Sequence, residues 1–176
     1  MFKRLIISLF AIVAISTSAL ADEKNSIVTV NVDKVKMETK AGQSIAKQLG
    51  DIQNAFKDKV TKLQQDFDSQ KVELEKQKAV LSKEAFAKKE TAFNTKLNES
   101  RKAMQKEAGD LEQMQQNALN EFNNIALGVI ADIAKENNYT QIIPVEILLY
   151  ADTKIDITSQ VIAAIDKKSD NIVVKK

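Results

Sequence analysis

The chain has 176 residues, a formal net charge of +2, and neither cysteine nor histidine. Without cysteine, disulfides cannot stabilise the fold. Without histidine, the usual general base, a very common metal ligand and the base of a Ser or Cys triad are missing. We therefore expect a protein that is not an enzyme and that uses no metal or cofactor.

Residues 1–21 have the pattern of an export signal. A basic start precedes an apolar run of about eleven residues, too short to span a bilayer, and small residues follow it. No cysteine follows the run, which excludes a lipoprotein anchor. We expect export and cleavage after residue 21, with an uncleaved N-terminal anchor as the alternative. The residues at the predicted cleavage site are Ala19, Ala21 and Asp22.

The charges of the remaining chain balance overall but are unevenly distributed. Residues 22–176 contain 24 basic and 24 acidic side chains, which argues against a general nucleic-acid-binding protein. Residues 71–106 contain ten basic and five acidic side chains, whereas residues 107–176 contain six basic and eleven acidic ones. The middle of the chain is thus its positive part.

The first predicted element is a strand over Ile27–Val32, where β-branched residues alternate and put Val28, Val30 and Val32 on one face. Residues 33–37 can form a helical turn. We expect Gly42 to mark a break before the next helix.

The long middle segment predicts a helical arm. Between Gly50 and Gly109 the chain has 58 residues without glycine or proline, and its apolar residues recur at steps of three, four and seven, as in a coiled coil. Ser82 has the character of an N-cap. We therefore predict two antiparallel helices over 43–121 that turn near 80–84. One uninterrupted helix of about ninety residues is the alternative.

The closing segment predicts the rest of a small body. From Phe122 the helix becomes broadly apolar, as expected where the returning arm enters a packed core. Predicted strands follow over Tyr139–Ile143, ended by Pro144, and over Ile147–Tyr150, and then a helix from Ser159 to Lys167 capped by Thr158. Residues 171–176 add an edge strand or fray.

These elements give an α+β fold, with a body formed by residues 22–42 and 122–176 and an arm formed by residues 43–121. So small a body would be marginal alone, and its exposed sheet edges would favour pairing. We therefore expect oligomerisation through the body. The residues predicted to form the oligomerisation body are Val28, Val30, Val32, Ile142, Ile143, Leu148 and Tyr150.

Over the whole precursor, the sequence resembles the periplasmic Skp/OmpH-type chaperones of Gram-negative bacteria. The resemblance rests on Ala19-Leu20-Ala21, the opening strand, the Lys/Gln/Glu-rich hairpin, and above all the closing order Leu148-Leu149-Tyr150, Asp156-Ile157-Thr158 and helix. It implies a jellyfish-shaped homotrimer in the periplasm, with hairpin arms around a cavity that holds unfolded outer-membrane β-barrel proteins without ATP. Members of the family are often strongly basic, whereas this chain without residues 1–21 is neutral.

The functional hypothesis is therefore a holdase chaperone whose arms contact clients through cations and scattered apolar residues. Anionic lipid or lipopolysaccharide is a further candidate partner, and nucleic acid is not expected. Solvated lysines and an arm–arm seam explain the same pattern without clients, and a structural spacer or adaptor of the cell envelope is the alternative function. The predicted client-binding residues are Lys71, Lys76, Lys78, Lys83, Phe86, Lys88, Lys89, Phe93, Lys96, Leu97, Arg101 and Met104.

Overall fold

The computed structural model describes residues 26–175, which form a long helical hairpin on a small mixed body. The predicted signal peptide, with Ala19, Ala21 and Asp22, lies outside these residues and stays a prediction. The elements in chain order are β1 (Ile27–Val30), α1 (Val32–Glu38), α2 (Lys40–Gln77), α3 (Lys83–Glu136), β2 (Gln141–Pro144) and α4 (Thr158–Lys168).

Strand β1 lies at the centre of the body. It pairs in parallel with β2, in a register that places Val28 opposite Ile142, and Thr29 forms a further parallel bridge with Asp156. The predicted strand was two residues too long at its C-terminal end. Asn31 leaves the sheet, and its side-chain oxygen accepts a 2.7 Å hydrogen bond from the Lys34 N–H, so Val32 is already the first residue of α1.

The break before the arm comes at Thr39 and not at Gly42. Thr39 ends α1, and its hydroxyl accepts a hydrogen bond from the Gly42 N–H at 3.2 Å, which makes Thr39 the N-cap of α2. Gly42 lies inside the first turn of α2 for a different reason. A Cβ at this position would lie 1.8 Å from the carbonyl oxygen of Lys36, so only glycine lets α1 and α2 approach this closely.

The predicted hairpin is confirmed. Helix α2 has 38 residues and α3 has 54, which correspond to roughly 57 and 80 Å. Ser82 is the N-cap of α3, since its hydroxyl accepts a 3.2 Å hydrogen bond from the Ala85 N–H. This cap and the non-helical backbone of Ser82 exclude the alternative of one uninterrupted helix.

The core lies where the hairpin enters the body. The buried face of α3 consists of Ala118, Phe122, Ala126, Val129 and Ile133, which follow one another at steps of three and four. They share one cluster with residues of β1, α1, α2 and α4. The broad apolar face predicted from Phe122 thus begins one turn earlier.

The prediction of a strand over Ile147–Tyr150 was wrong for this chain. A single 3₁₀ turn covers Val145–Ile147, irregular backbone follows, and a second turn covers Thr153–Ile155. Within residues 26–175, no neighbouring strand is available to hydrogen-bond with this segment. Apolar, β-prone residues without a partner strand do not form a strand.

The last helix also differs in its cap. Thr158 is its first residue and not its cap, and it is buried. Its hydroxyl accepts a 2.8 Å hydrogen bond from the Asn31 N–H and donates to the carboxylate of Asp156, which also accepts from the Thr158 N–H at 2.8 Å. The Asp-Ile-Thr motif therefore joins the end of β1 to the start of α4.

Candidate functional site

The distal half of the hairpin has a thin apolar seam. Between residues 46 and 117, Phe67 is the one buried residue. Its ring meets the edge of Phe93 on the opposite helix, with the ring centroids 5.8 Å apart and the planes at 78°. Such an edge-to-face pair stabilises the contact by more than the burial of apolar surface alone does. This contact and its neighbours hold the two arms in register.

Three of the predicted client-binding cations are engaged within the arm. The Lys96 ammonium lies 5.6 Å from the Phe67 ring centroid, and it also contacts Gln70 at 3.3 Å and Asp66 at 3.8 Å. Lys89 donates to the Gln77 side chain at 2.6 Å, and Lys78 lies 5.8 Å from the Phe86 ring centroid. These three cations are therefore already engaged in contacts within the hairpin.

Five other predicted cations are exposed and make no hydrogen bond or salt bridge within residues 26–175. An unpaired ammonium or guanidinium group keeps its full charge available to an anionic partner, at the cost of partial screening by salt. These side chains are the strongest part of the predicted site. They are Lys71, Lys76, Lys83, Lys88 and Arg101.

The four predicted apolar contacts, Phe86, Phe93, Leu97 and Met104, are all half-buried. Part of each side chain therefore packs in the seam between the two helices, and the rest is accessible to solvent. The predicted client-binding residues leave out three more exposed apolar residues of the distal arm, although one of them, Val60, belongs to the apolar stripe. They are Val60, Val72 and, in the turn that follows α2, Val80, which is 81% exposed.

Shallow grooves run along the seam and are lined by both apolar and charged side chains. One, of about 250 Å³, has Val60, Phe67, Leu97 and Arg101 among its lining residues. Another, of about 320 Å³, lies nearer the tip, with Lys89 and Lys96 among its lining residues. Such grooves suit many weak contacts with an extended chain better than the enclosed binding of a small molecule.

The residues predicted to form the oligomerisation body divide into two groups. Val28 and Val30 are buried against their own chain, whereas Val32, Ile142, Ile143 and Leu148 are half-buried and Tyr150 is exposed. Two further apolar residues that the prediction omitted, Ile147 and Leu149, are also exposed. The apolar surface at this end is thus concentrated in the irregular segment 147–150.

That segment follows a free sheet edge. Within the described part of the chain, β2 pairs with β1 on one side only. The segment is held near α1 by Glu146, whose carboxylate accepts a 3.2 Å hydrogen bond from the Asp33 N–H. Hydrogen bonds from its own backbone N–H and from those of Asp33 and Val32, together with the charge of Lys36, lower the pKa of Glu146 below 4.5 despite some desolvation.

Over residues 26–175, no helix is both long and apolar enough to cross a membrane. The same residues contain no cluster of three or more acidic side chains arranged to hold a metal ion.

Comparison with known proteins identifies the family. The profile of the outer membrane protein (OmpH-like) family matches residues 26–165. The fold is similar to that of a candidate outer membrane chaperone (OmpH-like) from Caulobacter crescentus CB15, with a TM-score of 0.80 and 16% identity over 86% of this chain and 89% of that one. No curated protein sequence matches the chain. The chain belongs to the OmpH-like family of outer membrane proteins.

Proposed function

We propose that the protein is an ATP-independent periplasmic holdase that keeps unfolded outer-membrane β-barrel proteins from aggregating. Membership of the OmpH-like family supports a chaperone role, as does the similarity to a structure described as a candidate outer membrane chaperone. The observation that carries the proposal is the surface of the distal arm. There, the unpaired Arg101 lines one shallow groove together with apolar residues, and Lys89 and Lys96 line a second groove. Four further exposed, unpaired cations lie on the same arm.

This surface suits clients that share no sequence. Each groove contact is weak, but several arms that engage one chain raise the overall affinity without tight local fit. A client that folds into the membrane withdraws its apolar segments from the grooves. Release therefore needs neither nucleotide nor catalysis.

Several arms acting together require an assembly, and we propose a homotrimer joined at the body. The free edge of β2 and the exposed Ile147, Leu149 and Tyr150 support this proposal, since an unpaired edge beside apolar residues is a surface that favours pairing with another chain. The mature protein should sediment as a trimer. A monomer at micromolar concentration would contradict the assembly.

The first test is suppression of aggregation. Several unrelated outer-membrane barrels are diluted from urea with and without the mature protein, and light scattering is followed. A holdase should suppress the scattering of all of them. A spacer or adaptor would leave the scattering unchanged and would bind one envelope partner stoichiometrically, and this outcome would overturn the proposal.

The second test distinguishes the effect of cations on the arm from the effect of the protein's total charge. The variant Lys76→Gln, Lys83→Gln, Lys88→Gln should capture clients more weakly, mainly at low salt, because screening already removes most of the attraction above about 0.1 M salt. The control Lys135→Gln, Lys154→Gln, Lys167→Gln removes the same charge from exposed positions on the body. Equal losses in both variants would show that the arm is not the capturing surface.

A further inference from the structure

The C-terminal tail, residues 171–175, lies along the base of α2 and belongs to no helix or strand. The tail forms neither the edge strand nor the frayed end that the sequence predicted, because side chains of α2 bind it. Asn171 accepts a 2.6 Å hydrogen bond from the Ser44 hydroxyl. One turn further along α2, Gln48 holds the main chain of the tail.

Gln48 contacts the tail as a neighbouring strand would. Its amide nitrogen donates to the carbonyl of Ile172 at 2.7 Å, and its amide oxygen accepts from the N–H of Val174 at 3.1 Å. These two groups flank Val173, and a residue in a parallel sheet bonds the same pair on its neighbour. Because only main-chain groups are bound, the contact does not depend on the side chain at position 173.

Side-chain selection comes from the two flanking positions. Ile172 is 1% exposed and Val174 is 9% exposed, and both belong to the cluster that contains Ala41 and Ile45, whereas Val173 is 51% exposed. The site at the base of α2 therefore selects apolar residues at positions 172 and 174 and accepts any residue at position 173. In residues 26–175, the tail beyond residue 170 makes its hydrogen bonds only with side chains.

A segment held by main-chain contacts, with alternate side chains buried, is bound in the way that strand-addition sites bind peptides. We infer that the tail is a self-ligand of an extended-peptide site at the base of α2, and that a client segment with alternating apolar residues takes its place. This inference rests on the proposed function for the identity of the client. Strands of outer-membrane barrels carry that alternation.

Competition between the tail and other peptide segments determines when the site can bind a client. A short tether gives the tail an effective concentration on the order of millimolar, so a free peptide at micromolar concentration cannot displace it. A client already held by the arms has an effective concentration of similar order. The site should therefore exchange its own tail for a captured client and ignore free peptides.

The site is tested in a full-length variant whose own tail cannot bind. The substitutions Ile172→Asp and Val174→Asp place charges at the two buried tail positions and so release the tail from the site. The probe is a fluorescent peptide of sequence Asn-Ile-Val-Val-Lys, and the control peptide has threonine in place of the first and third apolar residues. By anisotropy, the tail-disabled variant should bind the probe at least tenfold more tightly than wild type does, and more tightly than it binds the control peptide. Failure of a variant with wild-type helical content to bind the probe would overturn the inference.

The role of Gln48 is tested in the same background. Gln48→Leu removes both main-chain contacts and should weaken probe binding by about tenfold. Gln64→Leu is the matched control, since Gln64 is exposed on the same helix and its side chain bonds Asp68. Equal binding by the two variants would exclude Gln48 as the group that holds the peptide.

A measurement on wild type does not depend on whether the variants fold. The Val174 N–H should be protected from hydrogen exchange in the free protein and should lose protection when an unfolded barrel is captured. If aggregation is suppressed while this protection is unchanged, the inference fails and the holdase function stands. If aggregation is not suppressed, the holdase function fails, and peptide binding by the tail-disabled variant still decides whether the site exists.

Discussion

The base of the hairpin and its distal half consist of the same two helices, but they are held together differently. At the base, α2 packs against α1 and α4, and α3 packs against α4 and β2. There the two helices bury Ile45, Phe122 and Ile133 among other residues. In the distal half, one buried phenylalanine, a thin seam and scattered polar contacts join the helices. The base therefore specifies the fold, and the distal arm is free to display charge and apolar groups.

The largest test of this contrast compares two phenylalanines. Phe122→Ala at the base should lower the free energy of unfolding by about 3–5 kcal/mol, because a fully packed site leaves a cavity. Phe67→Ala in the arm should cost about 1–2 kcal/mol, because water and long neighbouring side chains can fill the gap. Urea unfolding followed by circular dichroism, at one protein concentration, measures both. Equal losses would mean that the seam is packed as tightly as the core.

A second comparison uses two glycines of α2. Gly42→Ala should destabilise the protein by about 1–3 kcal/mol, because the added methyl group would clash with the main chain of α1. At Gly50, nothing lies within 4 Å of an added Cβ, so Gly50→Ala should stabilise the protein by about 0.5–1 kcal/mol through helix propensity. Thermal or urea unfolding should show opposite signs. A loss of stability in both variants would contradict the open environment of the arm.

Threonine hydroxyls provide a third comparison. Thr158→Val keeps the shape of the side chain but leaves the Asn31 N–H without its acceptor, which should cost about 1–2 kcal/mol. In the arm, the exposed Thr61 hydroxyl donates to the Lys57 carbonyl, and Thr61→Val should change stability by less than about 0.5 kcal/mol. The difference between the two unfolding free energies is the quantity to measure. A neutral Thr158→Val variant would show that the Thr158 hydroxyl does not contribute to holding β1 to α4.

The smallest expected effect is a pH dependence at the body. The pKa of Glu146 is lower in the folded chain than its ordinary value of 4.5, so its contribution to stability is complete above that value and is lost as pH falls through the folded pKa. Wild type should therefore be more stable than Glu146→Gln at neutral pH, and the difference should vanish in strong acid. Unfolding midpoints across an acid series test this, and a difference that is constant with pH would exclude the Glu146 carboxylate as its cause.

The sequence was most informative about the arm. Ser82, the steps of the apolar stripe and the absence of glycine and proline are local signals, and they predicted the turn and both helices. It was least informative about the body, where Val32, Thr158 and segment 147–150 were assigned to the wrong elements. The conformations of Thr158 and of the segment after Glu146 depend on partners more than a hundred residues away, Asn31 and Asp33. Val32 joins α1 because Asn31 caps that helix, a local signal that the alternation of valines obscured.

The site shows the same division. The sequence identified the basic segment and its candidate cations, but it could not separate Lys89 and Lys96, which bond across the hairpin, from Lys83 and Lys88, which do not. That separation depends on which side chains the register of two helices brings together.

By itself, the sequence determined the helical hairpin, its turn and its charge distribution, because helix propensity, capping and periodicity act over a few residues. Only the tertiary structure decided where the body's elements begin and end, that Gly42 is required by a close approach of α1, and that Gln48 holds the C-terminal tail. The Gln48 contact joins segments more than a hundred residues apart, and the Gly42 contact depends on how closely α1 packs against α2. No local sequence pattern records either.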